Sequence, residues 1–425
     1  MTSLKLSKPR LLTIVYFFQG ILQVQFTLRL IDKSPLIPNL VNLRLLIPFF
    51  DPTVKDWSLT ARLMRWLTFL WLTIGLFVLF SASYYHGEIN NKNGFFYFNR
   101  QILFIVIGLL IFNVIVHTPL QKILKISHWI LFGILVLLLL VLTGMGKTTG
   151  GASRWIGIGS VQIQPSELVK PFLVLQGAKL FGRWERYSVQ GKAIWLSIFV
   201  VILLLILKQP NLSTTSICAV GLWSIAFAAG LPLRYLAGTA IGTASVAVLS
   251  IVFTTYQQER LSFLNPWAPE YLYSLNYQLT RSLLAIAPGG VWGKGFGMSI
   301  QKLGYLSEQY TDFIFAIFAE EFGFVGGVLL LLMVMTYATL GLFIASRSRH
   351  PVHRLVAVGT TTFIVLQSLI NIGVAVGTFP TTGVPFPMFS YGGTSIIASL
   401  IQSALLIRVA REAAITPVAQ LGRQV

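Results

Sequence analysis

The chain has 425 residues, of which only 13 are acidic, and a few of those acids stand where they could do chemistry. Asp312 and Glu308 lie in LSEQYTD, immediately before a long apolar run, and Glu320 and Glu321 follow inside that run. Glu167 and Lys170 lie three apart in QPSELVKPFLVL. Ionisable groups inside or beside apolar spans are costly and mark functional positions by default. Asp312 is the sharpest candidate. At the mouth of a helix it could act as a general base, taking a proton from an attacking hydroxyl. The plainer alternative is a carboxylate that only complements the helix dipole. Glu320 lies eight residues on, so a continuous helix would put it on roughly the same face as Asp312. Glu167 and Lys170 share a helix face, either lining a polar cavity or pinning one helix to its neighbours.

Two cations could meet an anion. Arg154, in GGASRWIGIGSVQ, has the planar fork that suits a diphosphate, although with Trp155 it could instead anchor the membrane interface. Lys294 lies in APGGVWGKGFG (287–297), whose glycines would let backbone amides approach an anion. The five histidines show no metal-ligand spacing, and the single Cys218 allows neither an internal disulfide nor a cysteine metal site. No metal-ligating residues are therefore expected. No Walker or Rossmann loop suggests a nucleotide.

These residues must be positioned by membrane helices. Mean hydropathy is +0.75, with 55% apolar and 11% charged residues, against about a quarter charged in soluble chains. The expected fold class is an all-α polytopic membrane bundle. Ten spans are expected near 65–85, 101–117, 127–144, 166–182, 193–208, 213–230, 235–255, 313–345, 355–377 and 390–410, joined by one long outer loop, 256–312, between the seventh and eighth. GGASRWIGIGSVQ reads as a re-entrant or interfacial segment. The proline-rich 377–395 must be irregular and enclosed in protein. The net charge of +19 suits cytoplasmic loops rather than nucleic acid, because Arg62, Arg65, Lys122, Lys125, Arg183, Arg186, Arg347, Arg349 and Arg408 all fall on one side if both termini are cytoplasmic. Residues 1–63 form an N-terminal cytoplasmic segment, 64–410 the transmembrane domain and 411–425 a cytoplasmic tail. The stretch 11–30 reads as an interfacial helix or an eleventh span, or else as part of a leader upstream of a true start near Val41.

Several motifs together resemble the SEDS family (shape, elongation, division and sporulation), the polytopic peptidoglycan glycosyltransferases that include the FtsW, RodA and SpoVE types. They are FSASYY (80–85), RWIGIGSVQIQPSELVKP (154–171), KQPNLSTT (208–215), YQLTRSLLAIAPGGVWGKGFG (277–297), QKLGYLSEQYTDFIFAIFAEEFGFVG (301–326) and FPTTGVPFPMFSYGGTSII (379–397), in the family's order. The resemblance implies ten membrane helices, lipid II as substrate and polymerisation of glycan strands with loss of undecaprenyl diphosphate. It places the family's essential aspartate on Asp312, and its Glu, Lys and Arg on Glu167, Lys170 and Arg154. Glu308, Lys294, Glu320 and Ser390 join these as expected substrate-binding residues. It further implies a monofunctional class B penicillin-binding transpeptidase and other divisome proteins as partners. A divalent cation (Mg or Mn) could assist the diphosphate. The SAS of the first span and QKLGYL favour the division type, with the elongation type as alternative, in the bacterial inner membrane at the division site.

The chain departs from the family pattern at Asn211, usually Asp, at Ser213, usually Gly, and at Ser307 and Tyr310, usually Pro and His. Two rival readings stay open: a flippase for the lipid precursor, which ten helices and a central ion pair would also suit, and a non-catalytic scaffold.

Overall fold

The computed structural model describes residues 51–149, 152–158, 161–268, 274 and 276–421. The expectations for 11–30 and for a start near Val41 lie outside them. The contacts that follow lie within the unit Thr53–Val425.

Apolar runs become helices whose ends the sequence marks. α1 (Leu59–Asn91) is capped by Ser58, whose side chain accepts from Ala61 N, and it stops at Lys92 in the left-handed region. α2 (Phe96–His117) and α3 (Leu120–Leu140) follow. α4 (Pro165–Phe181) starts with proline in its first turn, where the missing N–H costs nothing. α5 (Val189–Lys208) is capped by Ser188 and α6 (Leu212–Ala228) by Asn211. α7 (Leu233–Phe253) completes the first seven. After the outer segment come α10 (Ile314–Arg347), α11 (Pro351–Ala375) and α12 (Gly393–Leu421). Each of the ten expected spans thus coincides with one helix.

Eight of these helices are long and apolar enough to cross a membrane. The other two, α4 and α6, have 17 residues each, about 25 Å of helix against a hydrocarbon core of about 30 Å. They can be short because they pack against other helices: α4 lies against α3, α6, α11 and α12, and α6 against α4 and α11. Burial of the apolar windows sorts the rest. That of α12 is 94% buried and that of α11 67%, whereas that of α7 is 6% buried. The apolar side chains exposed on α2, α3, α5 and α7 face what must be lipid. α12 runs on to Leu421, so residues 411–421 are helical.

Two segments carry regular structure that the sequence reading did not specify. GGASRWIGIGSVQ, expected as a re-entrant or interfacial segment, contributes strands. β1 (Gly146–Thr149), β2 (Ala152–Ile158) and β3 (Val161–Ile163) form an antiparallel sheet in the order β1-β2-β3, with Lys147 opposite Trp155 and Gly157 opposite Gln162. Its glycines disfavour helix, and strand pairing satisfies the backbone instead. The outer segment 256–312 is also more than a loop, since it carries most of α8 (Thr255–Glu259) and all of α9 (Tyr277–Ile286). Segment 376–392 is irregular as expected, and Phe386, Met388, Phe389 and Ser390 within it are buried.

α10 is two helices in one. Gly323 has φ 66 and ψ −164, which breaks it after Phe322. The glycine-rich turn 287–297 satisfies the broken ends. Lys294 N and Gly295 N donate to the carbonyls of Glu320 and Glu321, each at 3.0 Å, while Phe324 N and Val325 N donate to Gly290 O at 2.9 Å and Val291 O at 3.0 Å. A Cβ on Gly323 would stand 2.3 Å from Gly293 N, so only glycine fits there. The amides expected to cradle an anion are therefore occupied by the helix break, a recognised way to keep irregular backbone at membrane depth.

Candidate active site

Asp312 stands two residues before α10 at the end of the outer segment, on a backbone held by three successive carbonyls. Tyr310 O accepts from Tyr391 N at 2.8 Å. Thr311 O accepts from Ser390 Oγ at 2.5 Å, and that oxygen in turn accepts from Phe386 N at 2.8 Å. Asp312 O accepts from Asn371 Nδ2 at 2.8 Å, and the same amide reaches Val384 O at 2.9 Å. Segment 376–392 and α11 thereby fix the main chain and leave the carboxylate to act.

Arg154 reaches the same spot from β2. Its Nε donates to Gln209 O at 3.2 Å and its Nη2 to Pro210 O at 2.5 Å. A Cβ on Gly383 would lie 3.4 Å from Asp312 Oδ2 and 3.5 Å from Arg154 Nη1. Carboxylate and guanidinium therefore flank a position that holds no side chain. Asp312 is half-buried. Burial raises its pKa to about 7, helped by the negative charge of Glu308, while Arg154 and Arg260 pull the other way. An acid poised near neutrality can accept a proton and release it again.

Glu308 is a neighbour rather than a second base, since its Oε2 accepts from Thr311 Oγ1 at 2.6 Å. Ser390 is buried and spends its hydroxyl on Thr311, so it supports the site without facing a ligand. Glu167 and Lys170 are 2% and 1% exposed. Lys170 Nζ donates to Glu167 Oε1 at 2.6 Å and to Gln367 Oε1 at 2.8 Å, and Gln367 Nε2 donates to Pro385 O at 2.8 Å. The pair ties α4 to α11 and, through Gln367, to the segment opposite Asp312. Lys294 and Glu320 meet each other at 2.8 Å, at the far end of Ile314–Phe322, about 12 Å along the helix from Asp312. Lys294 and Glu320, both expected to bind substrate, thus pair with each other at a distance from Asp312.

The departures are absorbed locally. Asn211 Oδ1 accepts from Thr214 N at 3.3 Å, the capping bond an aspartate would make. Tyr310 packs in an aromatic group with Tyr97 (ring centroids 4.7 Å apart), His86 (5.1 Å) and Tyr391 (5.8 Å), and burial raises its pKa. Among the described residues no group of three or more His, Cys, Asp or Glu side chains could hold a metal ion. Asp312 and Glu308 could hold a Mg or Mn ion only together with substrate phosphate oxygens and water, the usual way one or two carboxylates bind Mg.

Several residues were not read from the sequence as parts of the site: Asn371, Gln367, Gly383, Arg260 and Lys302. Gln367 and Asn371 carried a signal, as amides one helical turn apart in an otherwise apolar helix. Gly383 and Arg260 carried none, because only the fold brings them to Asp312.

The FtsW/RodA/SpoVE family of cell cycle proteins matches residues 61–415, and the chain belongs to that family. Among individual relatives, it is 51% identical to a probable peptidoglycan glycosyltransferase FtsW of Synechocystis sp., over 89% of this chain and 96% of that one. It is 35% identical to the protein of the same name from Escherichia coli, over 82% and 85%. Among solved structures it resembles a chain of a peptidoglycan synthase complex that coordinates polymerization and crosslinking, with TM-score 0.65, 26% identity and coverage of 82% and 97%. It also resembles the rod shape determining protein RodA of Thermus thermophilus, with TM-score 0.60, 27% identity and coverage of 82% and 96%.

Proposed function

We propose that this multi-pass membrane protein is a peptidoglycan glycosyltransferase that polymerises lipid II into glycan strands, with Asp312 as general base. The observation that carries the mechanism is a half-buried carboxylate poised near neutrality and flanking, with Arg154, the unoccupied side of Gly383. The acceptor's GlcNAc 4-hydroxyl attacks C1 of the donor MurNAc. The C1–O bond to undecaprenyl diphosphate breaks, and the hydroxyl proton passes to Asp312. Charge developing on the leaving diphosphate is met by Arg154 and Arg260, placed before the reaction begins.

Lysines and arginines gathered on one side support cytoplasmic termini and an outward-facing site. The names of the relatives support a role in division. The likeness to a synthase-complex chain supports a penicillin-binding transpeptidase partner that cross-links the strands, at the division site with other divisome proteins.

The test incubates purified protein and its transpeptidase partner with labelled lipid II and resolves the strands on a gel. Wild type is expected to make polymer and folded Asp312→Ala none. Equal polymer from both would remove Asp312 from the mechanism. No polymer from wild type alongside an active partner would favour lipid transport or a scaffold.

A further inference from the structure

The segment Ile314–Phe322 is a short helix with two different ends. Asp312 precedes its first turn. Its last turn carries Glu320 and Glu321, just before the break at Gly323. The two carboxylates point to different partners. Glu320 takes Lys294 Nζ at 2.8 Å, Ser299 Oγ at 2.6 Å and the backbone amides of Ile300 and Gln301. Its charge is met mainly by the outer segment it holds. Glu321 reaches the other way. Its Oε1 accepts from Lys302 Nζ at 2.7 Å and from Ser81 Oγ of α1 at 2.6 Å, and Lys302 Nζ also donates to Ser81 Oγ at 2.7 Å.

The Glu321 group is buried, with its side chain 0% exposed and that of Lys302 8%. Its Oε2 has no hydrogen-bond partner among the described residues. Such a carboxylate depends on one lysine for its charge, and an ion withdrawn from water holds its counter-ion tightly when nothing else can substitute. The link is therefore a stiff strut between α1, the outer segment and the short helix. Phe313, which alone separates Asp312 from that helix, and Ile314, its first residue, are buried, so a tilt at the Glu321 end reaches the Asp312 side chain.

We infer that Lys302 and Glu321, seated on Ser81, are positioning residues for the polymerisation step: their contact fixes the tilt of Ile314–Phe322 and so the place of the Asp312 carboxylate opposite Gly383 and Arg154. This rests on the reading of Asp312 as the base. A displacement of about 1 Å from a remote change can cost about 100-fold in rate. Arg154 is held independently by Gln209 O and Pro210 O, so binding need not suffer.

The experiment has two arms in the full-length protein with its transpeptidase partner. In the first, Lys302→Met, Glu321→Gln and the milder Ser81→Ala are assayed on labelled lipid II. Lys302→Met is expected to lower kcat by about 100-fold with KM little changed and to move the acid limb of the pH profile to lower pH, as Asp312 tilts toward water. Lys302→Arg should recover part of the loss. In the second arm, Asp312→Cys and Gly383→Cys are combined in a Cys218→Ala background and joined by a short thiol cross-linker, with or without Ser81→Ala or Lys302→Met. Loss of the cross-link in either strut variant, with apparent melting temperature retained, supports the positioning role. A cross-link that persists in every folded strut variant overturns it, whatever happens to kcat. A lost cross-link together with full polymer from Asp312→Ala keeps the strut and rejects the base, so the two ideas fail separately.

Discussion

Among the described residues, two buried glutamate–lysine contacts have nearly equal length and quite different construction. Glu167 and Lys170, at 2.6 Å, belong to adjacent turns of one helix. Glu321 and Lys302, at 2.7 Å, join the inside of a broken helix to the outer segment before it. The first is closed by secondary structure alone and then adopts Gln367 as a third member. The second exists only once the outer segment has folded back and α1 has supplied Ser81. One ties α4 to α11 through Gln367, while the other joins α1 and the outer segment to the short helix that follows Asp312. A buried ion pair is therefore not one kind of object, and what it is fastened to decides its use.

The largest effect should come from breaking the inner pair on one side only. Lys170→Met strands the Glu167 carboxylate and is expected to cost about 3–5 kcal/mol, seen as a large drop in apparent melting temperature in detergent and loss of the folded fraction. Glu167→Gln combined with Lys170→Met should recover at least about 2 kcal/mol of that, because no charge is left buried. A double variant as unstable as the single would mean that the pair does more than hold helices. Gly323→Ala tests the broken helix. At φ 66 and 2.3 Å from backbone, it should lose about 1–3 kcal/mol through strain, and its polymer yield should fall more steeply than its stability.

A pH-dependent effect separates the titrating site from both pairs. The raised pKa of Asp312, about 7, means that the folded state favours the protonated acid relative to the unfolded chain, where about 3.9 is usual. Ionised Asp312 therefore destabilises the fold fully above about pH 7, and the penalty fades as pH falls toward about 4. Asp312→Asn should melt higher than wild type at pH 8 and equally at pH 4, whereas glycan synthesis by wild type should decline below about pH 7. The smallest effect is expected for Asn211→Asp, which keeps the α6 cap and should shift stability by no more than about 0.5 kcal/mol.

The sequence carried most of the helices and the single most important acid, for a physical reason. Membrane spans announce themselves by length and hydropathy, and a charge beside one is conspicuous. The i,i+3 relation of Glu167 and Lys170 was equally legible, although its role was open until Gln367 closed the triad. What could not be read is what depends on return paths of the chain. The segment around Arg154 read only as re-entrant or interfacial, because glycines and a tryptophan do not by themselves specify which strands pair. Glu320 seemed to share a face with Asp312, but its partners lie with the outer segment beyond the far end of that short helix. Lys302, one of many basic residues, became significant only when α1 and α10 enclosed it.

The glycine turn at the helix break also bears on the order in which the chain can assemble. Its side-chain clasp, Lys294 to Glu320, spans 26 residues, and Lys302 to Glu321 spans 19. Lys170 to Gln367 spans 197. Closing a short loop sacrifices less chain entropy than closing a long one, and these short contacts need nothing made after α10. As the polypeptide emerges, the outer segment can therefore lock onto the first half of α10 before α11 and α12 exist. The backbone of Asp312, which waits for Asn371 and Ser390, is set last. The protein would be finished by its C-terminal helices, and a nascent chain lacking them would carry Asp312 unseated.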